Sequence, residues 1–276
     1  MILVPYVFNN ASENALRYAV EFAKQFDNID IVCFHATENE DTSDVELNGL
    51  KRKLEGYIAQ AKGDAEMPIS AHVVIGSYEE KITAFTHKNL VDLIIVGTRN
   101  VTGLSKVVHE GRTAKFLNGV ILPTLVIPED HAYKPIEKIM WASDFKPIKN
   151  DDAMDPLVVI AKAYDAEVRI AHVHTKRDNL DVMQINEMHR EEFLFSDKVK
   201  HSFKKIKRST ISKGIAHYLK LKGDNDILVL IKRKTGFMDN LFRKENSIEF
   251  GVNPTLPILF IHEEADRWAL KRNYEI

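Results

Sequence analysis

The sequence predicts an α/β protein built as two tandem doubly wound domains, each with a parallel five-stranded sheet. Two observations predict it. Apolar strand-like runs recur in the same order in both halves of the 276-residue chain. The stretches between them change from a period of two to the three-to-four-residue spacing of helices packed on a sheet. Strands alternating with helices imply βαβ units, parallel pairing and right-handed crossovers.

Taken in order, the opening strand ILVPYVF (residues 2–8) returns as IMWASDF (139–145), an offset of 137. IDIVCFHA, ending at His35 and Ala36, returns as VRIAHVHT, ending at His174 and Thr175, an offset of 139. DLIIVG from Asp92 matches DILVLI from Asp226, and PTLVIP from Pro123 matches PILFIH from Pro257, both at 134. The first helix is NASENALRYAVEFAKQF, where Ala15, Leu16, Ala19, Phe22, Ala23 and Phe26 form one apolar stripe. Asn10 or Ser12 is its expected N-cap. In the counterpart DAMDPLVVIAKAY, Pro156 fits only the first helical turn, so that helix should begin near Asp155. A further helix is expected around EEKITAFTHKN and KGIAHYLKLKG, just before the Asp92 and Asp226 strands. The polar, proline-bearing stretch EDHAYKPIEK sets a boundary near Lys134, giving domains 1–134 and 135–276.

Composition narrows the class. Hydrophobic residues at 45% and charged residues at 28% are globular values that exclude disorder, and a net charge of −2 exerts no global pull toward nucleic acid or an anionic membrane. No run of 18 apolar residues is present, and MILVPYVFNN carries neither a charged leader region nor a cleavage site. A cytoplasmic protein is expected. The single cysteine, Cys33, lies in an apolar run and reads as a buried strand residue.

Ligands of doubly wound sheets bind beyond the carboxyl ends of the strands, where the crossover direction switches. After the Asp92 strand the chain reads VGTRNVTGLSKVVHEGRTAKFL, with Gly97, Gly103 and Gly111 spaced through a loop that leads into a helix. Glycine N–H groups followed by a helix N-terminus are a cradle for phosphate. This ending, the repeated first strand and the repeated histidine strand resemble the universal stress protein family, over essentially the whole chain as two Rossmann-like copies. The resemblance implies a phosphate loop of the form G-x2-G-x9-G-[S/T] and an Asp after the first strand that reads adenine.

Against that pattern Gly97 takes the first glycine position, but Asn100 and Glu110 take the next two, and Gly111 takes the hydroxyl position, with Thr113 two residues on. Glu110 opposes a phosphate by about 4 kcal/mol at about 4 Å and an effective dielectric of about 20. The adenine-reading position holds Val7. In the second copy the counterparts of Gly97, Asn100, Gly103, Glu110 and Gly111 are Ile231, Lys234, Phe237, Lys244 and Glu245, although Asp144 stands at the adenine-reading position. Asp144 also has a local reading, accepting backbone N–H groups in the turn after its strand. The expectation is a vestigial nucleotide site at Gly97, Thr98, Gly103 and Asp144, with no bound cofactor; the alternative is an ATP-binding switch using the backbone at Gly97, Thr98 and Gly103.

Other chemistry finds little support. His172 and His174 face one way on a strand, yet no zinc-spaced Cys or carboxylate set accompanies them. His35 and His174 read as equivalent residues with a shared structural task. No nucleophile elbow, zinc-protease helix or Walker lysine is present, so no enzymatic activity is expected. Lys198, Lys200, Lys204, Lys205, Lys207 and Arg208, then Lys232, Arg233 and Lys234, then Arg243 and Lys244, concentrate positive charge in the second half. A solvated face balanced by ENEDTSDVE is the expected reading, with anion attraction as the alternative; no nucleic-acid or membrane partner is expected. The resemblance implies that TLVIP and ILFIH pair as sheet edges. Leu125, Ile127, Leu259 and Ile261 would then seal an internal pseudo-dimer, leaving an unidentified protein partner or a further homodimer as the intermolecular contacts.

Overall fold

The structure is a computed structural model that describes residues 1–99, 121–148, 150–174, 182–195, 198–209, 211–221, 224–233 and 256–264. In the first half β1 (Ile2–Pro5), α1 (Asn10–Ala23), β2 (Ile31–Thr37), α2 (Asp44–Lys62), β3 (Ile69–Ile75), α3 (Tyr78–Lys88), β4 (Leu93–Thr98) and β5 (Thr124–Pro128) follow one another. The second half runs β6 (Lys138–Ala142), a 3-10 turn at Asp151–Met154, α4 (Asp155–Ala163), β7 (Glu167–His174), α5 (Val182–Phe195), β8 (His201–Lys207), α6 (Ile211–Leu221), β9 (Ile227–Lys232) and β10 (Ile258–His262). Pro156 sits in the first turn of α4, where its missing N–H leaves no bond unmade.

Among the described residues the strands form one sheet of ten, in the order β3-β2-β1-β4-β5-β10-β9-β6-β7-β8, rather than two separate five-stranded sheets. Among the described residues the pairings within each half are parallel, and β5 and β10 meet antiparallel, with Leu125 opposite Leu259 and Val126 opposite Ile258. The physical reason is edge satisfaction. Each half ends on a short apolar strand whose outer N–H and C=O groups need partners, and each strand supplies the other's. Leu125, Ile127, Leu259 and Ile261 all enter the same large core, which runs under α1, α2 and α4 across the join.

Aromatic contacts reinforce that face. Tyr164, just after α4, packs its ring 5.8 Å from Phe22 of α1 and donates its hydroxyl to the Phe22 carbonyl at 3.3 Å. Tyr133, in the stretch between the halves, meets Tyr18 edge-on at 5.1 Å, and its hydroxyl lies 3.2 Å from that of Tyr164. The segment that leaves the first half is therefore packed, with Lys134 paired to Asp226 at 2.6 Å.

The N-cap of α1 lies one residue before Asn10 and three before Ser12, the two expected caps. Asn9, extended at φ −133°, is the N-cap: it accepts from the Ser12 N–H at 2.8 Å while Ser12 Oγ accepts from the Asn9 N–H at 3.2 Å. Asp92 and Asp226 do equivalent work at the starts of β4 and β9. Asp92 binds the amino group of Met1, and Asp226 accepts from the Glu137 and Lys138 N–H groups at 2.9 Å. Cys33 is fully buried, and burial pushes its thiol pKa up, which fits a strand residue rather than a reactive thiol. Among the described residues no helix is long and apolar enough to cross a membrane.

Candidate functional site

The crossover direction switches between β1 and β4 in one half and between β6 and β9 in the other, and a ligand crevice in this topology lies beyond those strand ends. Both ends are built alike. Phe8 and Phe145 each turn the chain out of the strand in the left-handed region, at φ 52° and 51°, a conformation that costs a non-glycine residue about 1–2 kcal/mol. A histidine steadies each turn. His35 Nδ1 lies 2.8 Å from the Tyr6 carbonyl and its ring meets Phe8 at 4.6 Å. His172 Nδ1 lies 3.1 Å from the Ser143 carbonyl and stacks on Phe145 at 4.5 Å.

The histidine equivalence is thus His35 with His172, two residues before His174. Strand register fixes it, because Ile31 stands beside Ile2 and Val168 beside Ile139, an offset of 137 in both strands. A slip of two residues keeps the same face of a strand, so apolar patterning alone does not reveal it. Burial lowers the His35 pKa, with nearby Lys53 acting in the same direction, against the opposing hydrogen bond to the Tyr6 carbonyl.

In the first half, Gly97 has a packing reason to be glycine. A Cβ there would fall 2.0 Å from the Ala11 carbonyl oxygen, so the start of α1 presses against bare backbone. Thr98 is buried; its carbonyl accepts from the Glu129 N–H at 2.9 Å and its hydroxyl donates to the Arg99 carbonyl at 3.3 Å. Val7 supplies no side-chain polar atom, and its N–H donates to Ser12 Oγ at 3.3 Å. Gly103, with Asn100, Glu110, Gly111 and Thr113, lies outside the described residues.

In the second half, Asp144 and Arg233 meet across the crevice. Arg233 Nη2 is 3.2 Å from Asp144 Oδ1, with the two side chains 7% and 12% exposed. The same guanidinium donates to the Lys146 carbonyl at 2.9 Å and the Pro147 carbonyl at 3.2 Å. Asp144 Oδ1 also accepts from the Lys146 N–H at 3.3 Å, the turn contact expected from sequence. Arg233, expected on a solvated basic face, is instead a buried clasp. Of the other basic residues, Lys204, Lys205 and Lys207 belong to β8, an outer strand of the sheet, where charge discourages pairing with another edge. Lys200, just before it, pairs with Asp165 at 2.5 Å. Lys234, Phe237, Arg243, Lys244 and Glu245 lie outside the described residues.

Behind the clasp lies a group of buried acids that sequence reasoning missed. Ser143 Oγ donates to Glu191 Oε1 at 2.7 Å and accepts from the Phe145 N–H at 3.0 Å. Glu187 pairs with Arg190 at 3.2 Å and accepts from the Ile148 N–H at 3.4 Å. Gln184 Nε2 donates to the Asp144 carbonyl at 3.1 Å. Burial pushes the Glu191 carboxyl well above the ordinary glutamate range; neighbouring Glu187 and Asp144 add to the shift, while Ser143 and Arg233 oppose it. A sequence signal existed: at the offset of 137, Glu187 and Glu191 stand where the first half has Leu50 and Leu54. Among the described residues no group of three or more His, Cys, Asp or Glu could hold a metal ion.

The universal stress protein family model matches residues 1–128. Among solved structures, a universal stress protein from Archaeoglobus fulgidus superposes with a TM-score of 0.70 at 16% identity, covering 95% of this chain and 98% of that one. A functionally unknown protein from Pseudomonas aeruginosa superposes with a TM-score of 0.56 at 15% identity, covering 95% and 92%. At these identities the likeness is one of fold. No curated protein matches the chain.

Proposed function

We propose, from the match of residues 1–128 to the universal stress protein family model, that the whole chain is a tandem member of that family, with domains 1–134 and 135–276. In this reading it is a cytoplasmic, non-enzymatic stress-response or interaction module that has given up ATP. The β5–β10 join serves as an internal pseudo-dimer contact. One observation carries the loss of nucleotide. Asp144, the carboxylate that the family resemblance would assign to adenine, is taken by Arg233 in a buried pair spanning the crevice. An incoming base would have to break a desolvated ion pair and leave a guanidinium unpaired, a cost of about 3–5 kcal/mol, or more than a hundredfold in affinity. The first half supports the same reading, since Val7 has no side-chain hydrogen-bonding group for adenine and Gly97 is accounted for by helix packing.

The competing reading is an ATP-binding switch that uses the Gly97, Thr98 and Gly103 backbone. Titration calorimetry with ATP and magnesium separates the two, together with release of any copurified nucleotide on denaturation. No heat of binding and no released nucleotide are expected. Micromolar binding would establish the switch instead.

A further inference from the structure

We propose that α5 is a proton-controlled element, held on the second half while Glu191 carries a proton and loosened when that proton leaves. The first support is a substitution of character between equivalent helices. Helix α2 buries Leu54 and Ile58 against the sheet. At the offset of 137, α5 turns Glu191 and Phe195 inward, preceded by Glu187 where the first half has Leu50. Glu187 is 5% exposed and Glu191 is 0% exposed. Val182 and Met183, at the start of α5, face outward and are 72% and 63% exposed. Phe195, beside Trp141 at 5.7 Å, is fully buried, with Met188 and Leu194 packed half-buried against the same core, and the two acids fill the other buried positions of α5.

The second support is the hydrogen-bond inventory. Glu191 Oε1 has its bond from Ser143 Oγ, but Oε2 is sealed from solvent and, among the described residues, has no donor. A buried carboxylate with one bare oxygen is costly, whereas a neutral carboxyl in the same place is far less so. Charge counting agrees. Three carboxyls face one another here: Glu187 and Glu191 from α5, and Asp144 from the end of β6. Among the described residues two guanidiniums answer them, Arg190 to Glu187 and Arg233 to Asp144. Lys146, half exposed, reaches Asp144 Oδ2 only at 3.9 Å, and His172 of β7 is turned by Nδ1 toward the Ser143 carbonyl. The group balances when Glu191 is neutral.

The folded-state pKa of Glu191 is raised, so its contribution to stability is fully present below the ordinary glutamate value and is lost as pH rises toward the raised one. Acid tightens α5 and alkali loosens it, the reverse of ordinary acid unfolding.

Hydrogen exchange on the full chain, corrected for intrinsic rates, tests this with α2 as internal reference. Protection of α5 relative to α2 should fall above about pH 5, by up to about tenfold per pH unit. Glu191→Gln should give higher protection at neutral pH that no longer varies. Infrared spectroscopy of the wild-type protein across a pH series should show a neutral carboxyl band that persists above the ordinary glutamate range, and that Glu191→Gln removes and Glu187→Gln keeps. Should Glu191→Gln fail to fold, the wild-type band and pH profile decide alone. A wild-type α5 whose relative protection is flat with pH, or a wild-type spectrum without the band, overturns the proposal.

Discussion

Arg233 at the end of β9 reaches Asp144 at the end of β6, Nη2 to Oδ1 at 3.2 Å, and so ties together the two strands between which the sheet changes crossover direction. Removing one partner strands a buried charge. Arg233→Ala should lower unfolding free energy by about 3–5 kcal/mol, whereas the double change Arg233→Met with Asp144→Leu should recover most of that loss. Urea denaturation of the three proteins measures it; a single-variant cost under about 1 kcal/mol would mean that the pair behaves as a surface contact.

Gly97 gives a second expectation. Because a Cβ would lie 2.0 Å from the Ala11 carbonyl, Gly97→Ala must push the first turn of α1 off the sheet. A loss of about 1–3 kcal/mol is expected, by analogy with overpacked cores. Thermal unfolding reads it directly. An unchanged midpoint would show that this glycine is free of the helix and available for another role.

Asp224 sets part of the acid limb of stability. Arg169 donates to it at 2.9 Å and Lys138 at 3.0 Å, and these contacts, the Arg169 hydrogen bond foremost, lower its pKa from 3.8 to about 2. A depressed folded-state value means stability that is present above about pH 4 and lost as pH falls through about 2. The side chain is 44% exposed, so screening limits the effect to at most about 1 kcal/mol. Asp224→Asn should be slightly less stable than wild type at pH 7, with the difference vanishing near pH 2. Paired denaturation curves at the two pH values check this, and a difference that persists at pH 2 would assign the effect to packing.

Much of this fold is legible in the sequence because its central strands are buried on both faces. Apolar runs at β1, β2, β4 and β5, and their partners in the second half, declare themselves, and Pro156 announces the start of α4. The outer strands do not. ISAHVVI and HSFKKIK mix polar residues among apolar ones because each lies at an edge of the sheet, and neither is placed by pattern. Helix α5 is hidden for a different reason: Glu187 and Glu191 occupy the inward stripe, so the periodicity that betrays α1 is absent. At the candidate site, Asp144 and the loop glycines can be read from the sequence. Arg233 cannot, because a charge in the run KRK gives no sign that burial will turn it inward.

The antiparallel join of β5 to β10 has a genetic consequence. Where two identical chains meet through such an edge, every substitution appears twice, once on each side. Here the equivalent positions have separate codons. At the offset of 137, Leu54 is a core residue where Glu191 is an acid, and Val7 is aliphatic where Asp144 pairs with an arginine. The interior beside β6 thus carries acids where the corresponding place in the first half is apolar, and the joined sheet holds both in a single molecule.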